Sequence, residues 1–291
     1  MNTEAIDPKY SELDLQSTDT LVSTFIDDQV LAIQAVKHAQ AALAQAVDAA
    51  VQRLEQGGRL IYVGAGTSGR LGVLDSTELL PTFSWPTERA IGVMAGGMSA
   101  YLKAVEGAED DSEAAVEALS ALSIKANDVV ILIAASGKTP FTVSALQYAR
   151  RVGALTIGIA NNPDTPLISE AEIGVLLATG AEVIVGSTRL KAGTAQKVAL
   201  NTLSSAIMVR LHKVYGNLMV DMQPTNHKLV QRALTIIMKA TGVTTEQAQQ
   251  ALVSADYNVK VALVSLLAHV DIATAHERLA HTKGNIRQTT R

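Results

Sequence analysis

Arg59-Leu-Ile-Tyr-Val-Gly-Ala-Gly-Thr-Ser-Gly-Arg70 opens as an apolar, β-branched run and closes in a glycine-rich turn. A run of that kind feeding directly into such a turn predicts a strand, a loop and then a helix. Further runs of the same type occur at 90–94, 128–133, 155–160 and 173–177, each followed by small or turn-forming residues and most separated by helical stretches. Strands alternating with helices predict β-α-β crossovers, hence an α/β fold with a doubly wound, five-stranded parallel sheet. In such sheets ligands sit beyond the carboxyl ends of the strands.

Outward from this centre the chain changes character twice. From Asp19 to Gln56 it lacks Gly and Pro and is rich in Ala, Leu, Val and Gln, which predicts one or two long helices and an N-terminal helical arm over residues 1–53. The sheet domain is expected over 54–217, closing with a long helix after Gly193 that runs to about Tyr215 and is broken by Gly216-Asn217. Residues 218–291 read as helix, turn, helix, with a helix start in Thr241-Gly-Val-Thr-Thr-Glu246, and resemble a small ubiquitin-associated three-helix bundle.

Composition narrows the function. The 291 residues are 48% hydrophobic and only 3% aromatic, so the core must be built from Ala, Val, Leu and Ile. A net charge of -4 gives no basic field for nucleic acid. There is no cysteine, hence no disulfide and no thiolate site. The acidic opening residues Glu4, Asp7, Glu12, Asp14 and Asp19 argue against a signal peptide, and no uncharged apolar run is long enough to span a membrane, so a cytoplasmic location is expected. The six histidines show no metal-ligand spacing, and neither a metal nor a cofactor is expected.

Three Ser/Thr/Gly clusters look like phosphate sites: Gly64-Ala-Gly-Thr-Ser-Gly-Arg70, Ala135-Ser-Gly-Lys-Thr-Pro140 and Gly186-Ser-Thr-Arg-Leu-Lys-Ala-Gly-Thr194. Free N–H groups at a helix start, with hydroxyls beside glycines, make an anion cradle. Candidate ligands are Thr67, Ser68, Ser136, Lys138, Thr139, Ser187 and Lys191, with Arg189 beside them. The first cluster also fits the G-x-G-x-x-G dinucleotide fingerprint, but the second strand ends Met94-Ala-Gly-Gly97 with no acidic residue for a ribose. The second imitates a nucleotide P-loop, yet Leu132 stands where the first glycine is required. Two carboxylates follow these loops closely enough to reach one crevice, Glu78 in Asp75-Ser-Thr-Glu-Leu-Leu-Pro81 and Glu109 in Val105-Glu-Gly-Ala-Glu-Asp110.

These blocks, with Gly216-Asn-Leu-Met-Val-Asp221, resemble the N-acetylmuramic acid 6-phosphate etherases, which carry a sugar isomerase (SIS) domain and are related to glucokinase regulatory proteins. The resemblance covers nearly the whole chain. It implies cleavage of the D-lactyl ether by elimination and hydration, giving N-acetylglucosamine 6-phosphate and D-lactate in cell-wall amino sugar recycling. It implies catalytic roles for Glu78, as general acid, and Glu109, as a candidate base at C2. It also implies a sugar-phosphate substrate, no metal, and a homodimer, to which the long N-terminal helix and the apolar helices after Gly193 independently point, since they would leave exposed surface in a monomer. Leu79-Leu80 stands where the family usually shows Cys-Pro, and Val185 where a Thr or similar residue precedes Gly-Ser-Thr-Arg. The alternatives are a non-catalytic sugar-phosphate regulator and an aldose–ketose isomerase.

Overall fold

The computed structural model describes residues 2–290. A long helix α1 (Thr18–His38), capped by the Ser17 hydroxyl on the Thr20 N–H, is followed across Ala39 by α2 (Gln40–Glu55). Strand β1 (Leu60–Gly64), α3 (Gly66–Phe83), β2 (Ala90–Met94), α4 (Ser112–Ala121), β3 (Val129–Ile133), α5 (Pro140–Val152), β4 (Leu155–Ala160), the short α6 (Pro166–Ser169) and β5 (Ile173–Leu176) come next. The strands pair in parallel in the order β2-β1-β3-β4-β5, with Leu60 opposite Ala90 on one side and Val129 on the other.

Side chains alternate across a strand, so β1 and β3 divide their apolar residues between two layers. Ile61, Val63, Val130 and Leu132 pack with Leu119 of α4 and Phe141, Ala145 and Leu146 of α5. On β1, Leu60 and Tyr62 point to the opposite face, where Gly72 of α3 lies so close that a Cβ there would meet the Tyr62 Cβ at 3.0 Å. Both faces are therefore covered, and β1, β3 and β4 are buried along their full length, as a doubly wound sheet requires. Each fully buried Leu or Ile contributes about 1.5–3 kcal/mol to stability.

The chain forms two compact units. One comprises the residues through Thr77 with Thr87–Ser205; the other comprises Glu78–Pro86 with the residues from Ala206 on. The long helix α7 (Lys191–Arg210) ends five residues before the tyrosine that the sequence suggested, and it does not need Gly216 to stop. His212 takes the left-handed conformation at φ 61, and the Lys213 N–H bonds back to the Met208 carbonyl.

Among its described residues the second unit holds, after the end of α7, α8 (His227–Thr241), α9 (Thr245–Ser254), α10 (Val259–Ala268), α11 (Ile272–His281) and the short α12 (Ile286–Thr289), more than the three helices expected. They close on Ile237, Leu252, Leu263, Leu279 and Ile286. Side-chain caps from Asn226, Thr244, Asn258, Asp271 and Asn285 start them in turn. At α9 the capping box is closed by Gln247, one residue beyond the Glu246 that the sequence offered. Among the described residues no single helix is long and apolar enough to cross a membrane.

Candidate active site

The first loop is cut to glycine for packing. A Cβ on Gly64 would lie 2.8 Å from the Gly69 N, and one on Gly69 would lie 2.6 Å from the Gly64 O, so β1 and the first turn of α3 touch backbone to backbone. Gly66 sits at φ 53 with open space around it. Thr67 is half-buried at the loop's surface, whereas Ser68 is buried.

Ser68 belongs to a buried, neutral relay with a fixed direction. The Asn161 amide donates to the Leu177 carbonyl at 3.0 Å, which turns Asn161 Oδ1 toward Gln196 Nε2 at 2.9 Å. Gln196 therefore presents Oε1 to Ser68, whose hydroxyl must donate at 2.8 Å. That proton points into the protein, so the Ser68 hydroxyl is not left as a free donor for a ligand. Asn161 and Gln196, which the sequence did not single out, tie the first loop to the ends of β4 and β5.

The second loop turns its hydroxyls the other way. Ser136 Oγ and Thr139 Oγ1 lie 3.2 Å apart, both partly exposed, and Ser136 Oγ accepts from the Lys138 N–H at 3.2 Å. Lys138 itself is exposed. Pro140 starts α5, so no N–H is lost in the first turn, and Thr142 donates back to the Thr139 carbonyl at 2.8 Å. Gly137, at φ 68, packs so tightly that a Cβ would come within 2.2 Å of Thr165 Oγ1.

In the third loop Ser187 is half-buried and Arg189 exposed, but Lys191 is turned inward. Its ammonium bonds Asp28 at 2.7 Å with both side chains buried, so it anchors α1 to the start of α7 instead of facing a ligand. The Tyr10 hydroxyl donates to the same Asp28 oxygen at 3.0 Å, and burial together with that carboxylate pushes its pKa up to about 12. Glu182 caps α7 by accepting from the Lys191 and Ala192 N–H groups at 3.1 and 2.9 Å. Burial raises its pKa even so.

Glu109 lies in the turn Ala108–Asp110 and lines a cavity of about 360 Å³ with Glu106, Arg70, Ala65 and Gly66. Two carboxylates, Glu106 and the expected Glu109, thus share a crevice with the first glycine loop. Arg70, another residue not anticipated, donates to the Ala100 and Tyr101 carbonyls at 2.7 and 3.3 Å and holds the segment that leads to Glu109. Glu78 is exposed on α3, about three turns beyond Gly66, and groups with the C-terminal unit. It is not among the residues lining the Glu109 cavity. Three residues before it, Asp75 is buried and accepts from Tyr62 at 2.9 Å, Asn201 at 2.6 Å and Ser204 at 3.1 Å. Among the described residues no group of three or more His, Asp or Glu is placed to hold a metal ion.

Comparison with known proteins adds to this geometry. Residues 42–150 match the N-terminal SIS domain of glucokinase regulatory protein, and residues 216–286 match the C-terminal lid domain of that protein. The chain is 54% identical to an N-acetylmuramic acid 6-phosphate etherase of Deinococcus radiodurans over 98% of this chain and 94% of the relative. It is 48% identical to N-acetylmuramic acid 6-phosphate etherase 1 of Enterococcus faecalis over 98% and 95%. Among solved structures, a phosphoheptose isomerase from Neisseria gonorrhoeae shares the fold with a TM-score of 0.51 at 18% identity, over 66% of this chain and 98% of that one.

Proposed function

The chain belongs to the N-acetylmuramic acid 6-phosphate etherases, and on that premise we propose that its carboxyl-end crevice removes lactate by elimination followed by hydration. The enzyme cleaves the lactyl ether of N-acetylmuramic acid 6-phosphate and yields N-acetylglucosamine 6-phosphate and D-lactate.

Opening of the sugar ring exposes an aldehyde at C1 and makes the C2 proton acidic. A carboxylate takes that proton, and the C3–O bond breaks as a carboxylic acid protonates the departing lactate oxygen. Water then adds at C3 of the unsaturated aldehyde, and a proton returns to C2. Ether and water are consumed, and an alcohol and lactate are formed. Glu78 is the acid and Glu109 the base in this reading, a pair that needs one group protonated while the other is ionised. The observation that supports the base half of this reading is the cavity that Glu109 and Arg70 share with the first glycine loop; Glu78 does not line it, and its role as acid rests on the resemblance to the family.

Thr67, Ser136, Thr139 and Ser187 hold the phosphate, so that binding energy at the far end of the sugar aligns C2 and C3. The protein works in the cytoplasm as a homodimer. Val22, Ile26, Val30 and Ile33 support the second point, since they form an exposed apolar stripe along one face of α1.

The test is turnover of N-acetylmuramic acid 6-phosphate in heavy-oxygen water, reading lactate and label together. Label at C3 of the sugar is the expected result; label in lactate, or a ketose product without lactate, would remove the elimination scheme. Glu78→Ala should fold and bind substrate yet release lactate at least about a hundredfold more slowly.

A further inference from the structure

The short 3-10 turn Asn2–Glu4 lies outside the matched SIS region, yet Thr3 is only 1% exposed. Its backbone N–H donates to Asn162 Oδ1 at 3.2 Å, and its hydroxyl accepts from Asn162 Nδ2 at 2.9 Å. The same Asn162 amide donates to the Ala135 carbonyl at 2.9 Å, one residue before Ser136 of the second phosphate loop. On the other side of the turn, the Glu4 side chain rests against Gly186, where a Cβ would come within 2.9 Å of Glu4 Oε2, one residue before Ser187 of the third loop.

We propose that Asn2–Glu4 is a strap on the phosphate cradle and that Thr3, acting through Asn162, is a positioning residue for Ser136 and Thr139. Thr3 and Asn162 exchange two hydrogen bonds in a buried site, so the amide has one orientation, and that orientation fixes the carbonyl from which the second loop departs. Loss of the Thr3 hydroxyl leaves a buried amide hydrogen without its acceptor, and the loop gains freedom at its first residue. The effect falls on phosphate binding and not on the chemical step, because neither carboxylate is touched.

This inference rests on the assignment of the second loop to the substrate phosphate, and the experiment separates the two. Wild type, Thr3→Val and Thr3→Ser are compared for KM, kcat and competitive inhibition by inorganic phosphate, with thermal midpoints recorded alongside. Thr3→Val should raise both KM and the phosphate inhibition constant about five- to tenfold with kcat within about twofold, and Thr3→Ser should restore both. An unchanged KM, a lowered thermal midpoint with no change in KM, or a fall in kcat that Ser does not rescue would each overturn it. If Ser136→Ala in the otherwise native chain also leaves KM unchanged, the fault lies with the phosphate assignment; if Ser136→Ala raises KM and Thr3→Val does not, the strap is the idea that fails.

Discussion

The two ends of the sheet are built from different chemistry. At the amino end the Arg59 guanidinium forks onto Asp128 at 2.6 and 3.1 Å and also donates to the Leu122 carbonyl, while Arg89 clamps the Gly58 and Leu54 carbonyls. At the carboxyl end the loops after β1 and β3 are held by neutral groups, the Ser68–Gln196–Asn161 relay and the Thr3–Asn162–Ala135 bridge. An ion pair thus braces the amino end, whereas these two loops are braced without charge. A carboxylate used as a strut under those two loops would repel a phosphate dianion, and an amide does not.

That contrast breaks most readily at Gly137. Gly137→Ala drives a Cβ into Thr165 at a left-handed backbone angle and should destabilise by about 3 kcal/mol, measured by denaturant unfolding. Next, Gln196→Met strands Asn161 Oδ1 and the Ser68 proton and should lose about 2 kcal/mol. Adding Ser68→Ala to it should change little more, since the relay is already cut; additive losses would show that Ser68 acts on its own.

At the other end the expected signature is a pH dependence. Burial pushes the Asp128 carboxyl up, but the Arg59 side chain and the Lys125 and Arg59 N–H groups outweigh it and hold its pKa below the usual carboxylate range. A depressed folded-state pKa stabilises above the unfolded value, near 3.9, and that stability is lost as pH falls through the folded value. Asp128→Asn should therefore be less stable than wild type by about 1–2 kcal/mol at pH 7, with the gap closing below about pH 4. Smallest in stability is Ser136→Ala, within about 0.5 kcal/mol of wild type. Its KM should nonetheless rise about tenfold, because a hydrogen bond to a charged phosphate is lost. A reversal, with Ser136→Ala unfolding the loop and leaving KM alone, would erase the distinction between the ends.

The sheet was legible because its strands are dense β-branched runs between glycines, and all five fall within one or two residues of where periodicity put them. The end of α7 was not, because His212 takes a left-handed angle that sequence reserves for Gly or Asn. The loops could be recognised by composition, but the direction of their hydroxyls could not. Ser68 is aimed by a residue 128 positions away, and Lys191 is withdrawn by Asp28, 163 positions earlier. Thr3 carries no motif; only its burial beside Asn162 marks it.

The grouping of Glu78–Pro86 with the residues from Ala206 on has a practical outcome for spectroscopy. The chain's one tryptophan, Trp85, falls inside that short insert and is buried, so its fluorescence reports on the C-terminal helices although it precedes them by more than a hundred residues. Tyr62 sits sealed at the sheet with its phenol on Asp75, and burial first, then that carboxylate, lift its pKa well above 10.0. Trp85 is thus an optical reporter for the second unit alone, whereas the six tyrosines are spread over both. Tryptophan emission, compared with far-ultraviolet circular dichroism from the helices of both units through a single denaturant titration, tells whether the two melt as one or in succession.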